Sequence, residues 1–263
     1  LIMKKILITS LISLMLATNV SADTDGENSL SKKNSGVVKD CFENLNRATF
    51  KFNQVIDGVI LKPVAKAYRV LPSPVRDGTS NALDNLSSLI TIPNNVLQGD
   101  FKKAGVNTGR FILNTTVGIV GIFDVAEKIG FPEYEKEDYG QTLGVMGVGP
   151  GCYIVLPVLG PSTIRDTAGS FVNIFGGDAW YNASVSGNNE FLSKSDYVMT
   201  KIITGIDFRA KNIDSFENLQ INSIDFYASV KSLYLQDREQ KIINRNKTLE
   251  IIYDADWEEI ETQ

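Results

Sequence analysis

"GVMGVGPGCYIVLPVLGPSTIRD", residues 144–166, is the stretch on which the fold turns. It lies in a run from Tyr139 to Ile164 that carries no charged side chain and is crowded with glycine and proline. Those residues rule out a regular membrane-spanning helix, because proline removes an amide donor and glycine loosens the backbone. Irregular, apolar backbone is tolerated in two settings. One is a buried loop of a soluble core. The other is a pore wall or a mobile flap beside it, where protein or a water-filled cavity satisfies the peptide groups. Composition alone leaves the two open.

Around this stretch the pattern is helical. Phe42, Leu45, Thr49, Phe52 and Ile56 recur at three- and four-residue steps, predicting a helix. Pro63, Pro72 and Pro74 then break the chain into short segments. Helices are expected over residues 80–98, bent near Pro93, and over 101–116, with Gly99 and Asp100 marking the junction. In the second of these, Ala104, Gly105, Thr108 and Gly109 form a row of small residues that would let a neighbour approach closely. Residues 163–175, 197–218 and 223–246 complete the helical expectation, and only "CYIVL" carries a strand pattern. The fold class is mainly α, in a single helical domain over residues 37–246. Before it stand a signal-peptide pattern at 1–22, with Lys4 and Lys5 ahead of the apolar run from Ile6 to Ala17, and a polar leader at 23–36. That apolar run is shorter than the ~20 residues a spanning helix requires. Residues 247–263 form an acidic tail.

Several functions are excluded by composition. The chain of 263 residues has a net charge of −5 and no histidine. Nucleic acid is not an expected partner. The commonest general base and the commonest zinc ligand are absent, so neither a metal nor a cofactor is expected. Gly147-x-Gly149-x-Gly151 is not a phosphate-loop spacing. Ser162 lacks a nucleophile elbow and reads as the N-cap of the next helix, with Asp166 in its first turn. Glu133, Glu135, Glu137 and Asp138 read as a solvated charge run. Cys41 and Cys152 suit either one disulfide or separate thiols.

An ordered series of motifs then resembles one family. These are "NRATFKFN" from Asn46, "LKPVAKAYRVLPSPVRDG" from Leu61, "NNVLQGDFKKAG" from Asn94 and "GRFILNTTVGIVGIFDVA" from Gly109. "EDYGQTLGVMGVGPGCYIVLPVLGPSTIRD" from Glu137 and "IDFRA" from Ile206 follow. The chain resembles the MlaA (VacJ) family of phospholipid-transport lipoproteins from about Phe42 to Gln240. The resemblance implies a ring of helices in the periplasmic leaflet of the outer membrane, around a central amphipathic channel. It implies a trimeric porin as partner, phospholipid as cargo, a periplasmic lipid carrier as recipient, and no catalysed reaction. The channel-side segment it implies is Gly144, Val145, Met146, Gly147, Val148, Gly149 and Gly151. Its glycines would permit movement, and Val145, Met146 and Val148 would face acyl chains.

The sequence departs from the family in having Ala22-Asp23 where a lipidated cysteine is usual, and Cys152 where proline is usual. A soluble periplasmic lipid-binding protein without a membrane anchor is the competing expectation. A carboxylate hydrolase is a third, for which no acid/base pair stands out.

Overall fold

The structure is a computed structural model that describes residues 38–173, 177–185 and 193–261. The expected signal peptide and leader lie outside the described residues. Helix α1 (Glu43–Ile56) continues through a π-helical turn (Asp57–Leu61) into α2 (Lys62–Arg69) with helical dihedrals at each junction. Pro63 is accommodated because the first turn of a helix leaves its amides unpaired anyway. Helix α3 (Ser73–Leu97) starts seven residues before the expected Ser80, because Pro74 occupies an N-terminal position rather than breaking the helix. Pro93 sits inside it. Helix α4 (Phe101–Thr116) is capped as anticipated, Asp100 accepting from the Lys103 amide.

A short α5 (Val125–Lys128) leads to α6 (Tyr139–Val145), which occupies the start of the charge-free run. Two strands follow, β1 (Tyr153–Leu156) and β2 (Gly160–Thr163), paired antiparallel with Tyr153 opposite Thr163 and Leu156 opposite Gly160. The second strand escapes the sequence reading because "GPST" carries turn residues and no apolar alternation. Then come α7 (Ile164–Val172), α8 (Ala179–Ser184), α9 (Lys194–Lys211), α10 (Ile213–Asn222) and α11 (Phe226–Glu261). The single helix expected over 197–218 is in fact two. Asn212 closes α9 and opens α10 with non-helical dihedrals (φ −105°, ψ 12°), its backbone and side-chain amides both donating to the Phe208 carbonyl. The domain boundary expected at residue 246 lies inside α11, and the expected end of α7 at Phe175 lies outside the described residues. The N-cap of α7 is Thr163, not Ser162; its hydroxyl accepts from the Asp166 amide, while Ser162 shares a hydrogen bond with Thr167.

The interior has an unusual make-up. A small aromatic and aliphatic cluster joins Phe50 of α1, Tyr153 and Val155 of β1, and Tyr227 and Val230 of α11. Phe50 and Tyr227 meet edge-on at 5.5 Å, and Tyr153 and Tyr227 at 6.1 Å. Elsewhere buried polar side chains outnumber buried apolar ones among the described residues, while Val, Ile, Leu and Phe side chains stand exposed on α1, α2, α4, the loop after α4 and the tip of the strand pair. Burial of polar groups is costly unless they are hydrogen-bonded. The partners are therefore the fold's defining contacts.

Candidate functional site

Helices α3 and α4 pack through a polar seam. Ser88, Thr91 and Asn95 of α3 and its C-cap Gln98 recur at spacings that keep them near one face, and all are buried; Ser80, further up the same face, donates to Asp207 of α9 instead. Asn107 of α4 donates to Asn95 at 2.8 Å. Thr142 of α6 donates to Asn94 at 2.6 Å and accepts from Gln98 at 3.0 Å. Gln98 also donates to Glu137 at 3.0 Å. Burial pushes the Glu137 carboxyl up, partly offset by Gln98. Beyond the seam, buried Arg110 donates to Asp124 at 2.5 Å and to the Pro132 carbonyl, and Asn114 ties Asp124 to the Ala126 amide. The small-residue row on α4 is split. Ala104 is buried and Gly109 lies against Phe131, whereas a Cβ on Gly105 would meet nothing within 4 Å.

A second hub fixes α6, α7 and α11 together. Arg238 of α11 forms two hydrogen bonds to Asp138, at 2.6 and 2.9 Å, and two to Asp166, at 2.9 and 3.1 Å. Tyr234 adds a 2.6 Å hydrogen bond to Asp166. Burial would raise both carboxyls, but the donors and charge of Arg238 outweigh it and hold both below the usual carboxylate range. Beside the hub α6 and α7 touch through glycines: a Cβ on Gly169 would lie 2.3 Å from the Gly140 amide nitrogen. The expected solvated charge run is thus corrected at two positions. Glu137 is buried in the seam, and Asp138 caps α6 and pairs with Arg238.

The segment 144–151 emerges from this scaffold, linking α6 to β1. Gly144 and Val145 are in the last turn of α6, and a Cβ on Gly144 would collide with Ile242 at 2.4 Å. Met146 is the C-cap and is exposed. Gly147, at φ +90°, ends the helix in a Schellman motif: its amide donates to Gly144 and that of Val148 to Leu143. Val148 is exposed, and Val145 half-buried. Gly149 has open space where a side chain would go, whereas Gly151, at φ +69°, abuts Ile164. Of the seven residues, then, Gly144, Gly147 and Gly151 meet steric or dihedral demands. Met146, Val148 and Gly149 face outward.

The far end of the segment is pinned. Cys152 forms a disulfide with Cys41, settling the question the sequence left open. Asn46 of α1 accepts from the Val155 amide and donates to the Tyr153 carbonyl, and Asn53 does the same for Val158 and Leu156. Two asparagines one heptad apart thus satisfy the free edge of β1, which would otherwise be open for pairing. Nothing local in the sequence marks these pairings, since each joins residues more than 100 positions apart. The α3 seam did leave a signal, polar residues at helical spacing. Among the described residues no helix is long and apolar enough to cross a membrane, and no cluster of residues could hold a metal.

A mainly helical protein with a hydrogen-bonded polar seam, an apolar exterior and a glycine-rich segment pinned at both ends is the class these features define. The model of the MlaA lipoprotein family matches residues 38–241, and the chain belongs to that family. It is 36% identical over 202 residues to the intermembrane phospholipid transport system lipoprotein MlaA of Escherichia coli, covering 75% of this chain and 76% of that one. The protein of the same name from Haemophilus influenzae is 30% identical over 249 residues, 94% of this chain and 93% of that one. An uncharacterized protein of Rickettsia bellii is 33% identical over 207 residues, 78% and 77% of the two chains. A chain solved in work on the structural basis for maintenance of bacterial outer membrane lipid asymmetry superposes with a TM-score of 0.65 at 34% identity. The match covers 78% of this chain and 99% of that one.

Proposed function

We propose that this chain transports phospholipids at the outer membrane, passing those mislocalised in the outer leaflet through a channel to a periplasmic carrier and so maintaining lipid asymmetry. In this reading the helices form a ring in the periplasmic leaflet, a trimeric porin holds the ring in place, and residues 144–151 border the lipid path. It is a transport activity with no chemical step. The observation that carries the reading is the inverted distribution of polarity. The α3–α4–α6 seam is lined with Asn, Thr and Gln, while apolar side chains crowd the outside. Water disfavours such an exterior by roughly 25 cal/mol for each Å² of apolar surface, and lipid does not. The names of the Escherichia coli and Haemophilus influenzae relatives agree with this cargo.

The test is deletion of the gene and complementation with this chain, followed by measurement of phospholipid in the outer leaflet. Accumulation in the deletion strain, reversed by the intact chain, is expected. Unchanged asymmetry in the deletion strain would overturn the reading. Recovery of most of the protein in the soluble periplasmic fraction would favour the soluble lipid-binding alternative.

A further inference from the structure

Among the described residues three that are not glycine have positive φ: Ile119 at 53°, Val120 at 58° and Val158 at 66°. All three are β-branched, the residue class for which the left-handed region is least tolerated, and asparagine or glycine is the usual occupant. All three are also on loop tips and more than half exposed, at 58, 61 and 60%. In water an exposed asparagine at such a position would be cheaper on both counts. Conformation therefore argues against these side chains, and packing within the protein does not call for them.

The loops that carry them are built firmly. After α4, residues 119–121 form three consecutive left-handed positions. The amides of Val120, Gly121 and Phe123 donate to Thr115, Asn114 and Gly118, and Asn81 donates to the Ile122 carbonyl. Gly121 lies against buried Asn85 of α3, which donates to Thr115 of α4, so the loop rests on the polar contact between those helices. No charge occurs from Phe111 to Phe123, and Val117, Ile122 and Phe123 are exposed beside Ile119 and Val120. The tip of the strand pair repeats the arrangement. Val158 is held by Asn53, and Leu159 beside it is exposed.

We propose that the 117–123 loop and the 157–159 tip are rigid wedges that insert into the acyl region of a phospholipid layer. Hydrocarbon is the medium in which an exposed isoleucine or valine outcompetes asparagine, because an amide there lacks hydrogen-bond partners. The strain of the left-handed backbone is then offset by apolar contact with lipid. The inference rests on the membrane reading above and assigns the contact to two named loops.

The experiment floats the purified full chain with vesicles of phosphatidylethanolamine and phosphatidylglycerol. It compares the native chain with a triple variant, Ile119→Asn, Val120→Asn and Val158→Asn, and with the corresponding glycine variant. Both replacements suit left-handed backbone, so the thermal midpoint should stay level or rise. The vesicle-bound to free ratio should fall at least tenfold. An unchanged ratio with the fold intact would overturn the loop assignment and leave the membrane reading standing. Loss of the fold in both variants would overturn it too, since the side chains would then be packing within the protein. A native chain that fails to float would overturn both readings.

Discussion

Arg238 and Asp166, 72 residues apart in sequence, are joined by two buried hydrogen bonds of 2.9 and 3.1 Å. Asp166 is only 6% exposed. Removing Arg238 would leave Asp166 held by Arg165 and Tyr234 alone and Asp138 without its ion partner, at the cost of breaking a buried charge network. Arg238→Met should lower stability by about 3 kcal/mol, read from thermal or chemical unfolding. A loss below about 0.5 kcal/mol, the range of an ordinary surface change, would show that the hub does not hold α6, α7 and α11 together.

The same hub gives the acid limb of the stability profile. Asp138 and Asp166 are held below their ordinary value of 3.8. A carboxyl depressed in the folded state stabilises fully above its unfolded value and loses that contribution as pH falls toward the folded one. The native chain should therefore lose thermal stability steeply from about pH 4 down to about pH 2, and Arg238→Met should lose less over that window. Parallel acid limbs in the two proteins would contradict the assignment.

Gly147 and Gly149 separate two roles that the quoted stretch merges. Gly147→Pro removes an amide that bonds Gly144 and forces φ away from +90°, so the domain should lose a few kcal/mol. Gly149 has open space around it and no left-handed φ. Gly149→Pro should stiffen the segment while leaving abundance and midpoint near those of the native chain. If residues 144–151 border the lipid path, that variant should accumulate phospholipid in the outer leaflet. Normal asymmetry with normal abundance would remove the segment from the path.

Glycine packing gives a contrast within one experiment. A Cβ at residue 169 would meet backbone atoms of Gly140, which cannot swing aside, whereas one at residue 109 would meet the ring edge of Phe131 at 2.9 Å. Gly169→Ala should cost about 1–3 kcal/mol through overpacking, and Gly109→Ala less. Equal midpoints for the two variants would mean that α6 and α7 separate more easily than their contact implies.

The Cys41–Cys152 disulfide closes a loop with a sequence separation of 111. A loop of that length restricts the unfolded chain enough for the pair of serine substitutions to cost about 3–5 kcal/mol. Thermal unfolding with and without reductant should show the native chain, once reduced, falling to the midpoint of the double variant. No shift on reduction would show that the disulfide adds nothing to stability.

Much of this molecule was written in local patterns. Helix α4 runs over residues 101–116, as expected, because its start rests on Asp100, three residues from the amide it caps. The mainly helical class and the ordered motifs from Asn46 to Ala210 were equally legible, since each depends on residues close in the chain. Tertiary structure alone decided which face of α3 turns inward. Periodicity reports that Ser80, Thr91, Asn95 and Gln98 share a side, but the inward choice comes from Asp207, Asn107, Thr142 and Glu137, which arrive from elsewhere in the chain. The same holds for Asp138, read as solvated until Arg238 meets it, and for "GPST", a loop by composition and a strand only because β1 supplies its hydrogen bonds. A polar side chain satisfied by water and one satisfied by a distant partner look alike in sequence, because hydrogen-bonding capacity is local and the partner is not.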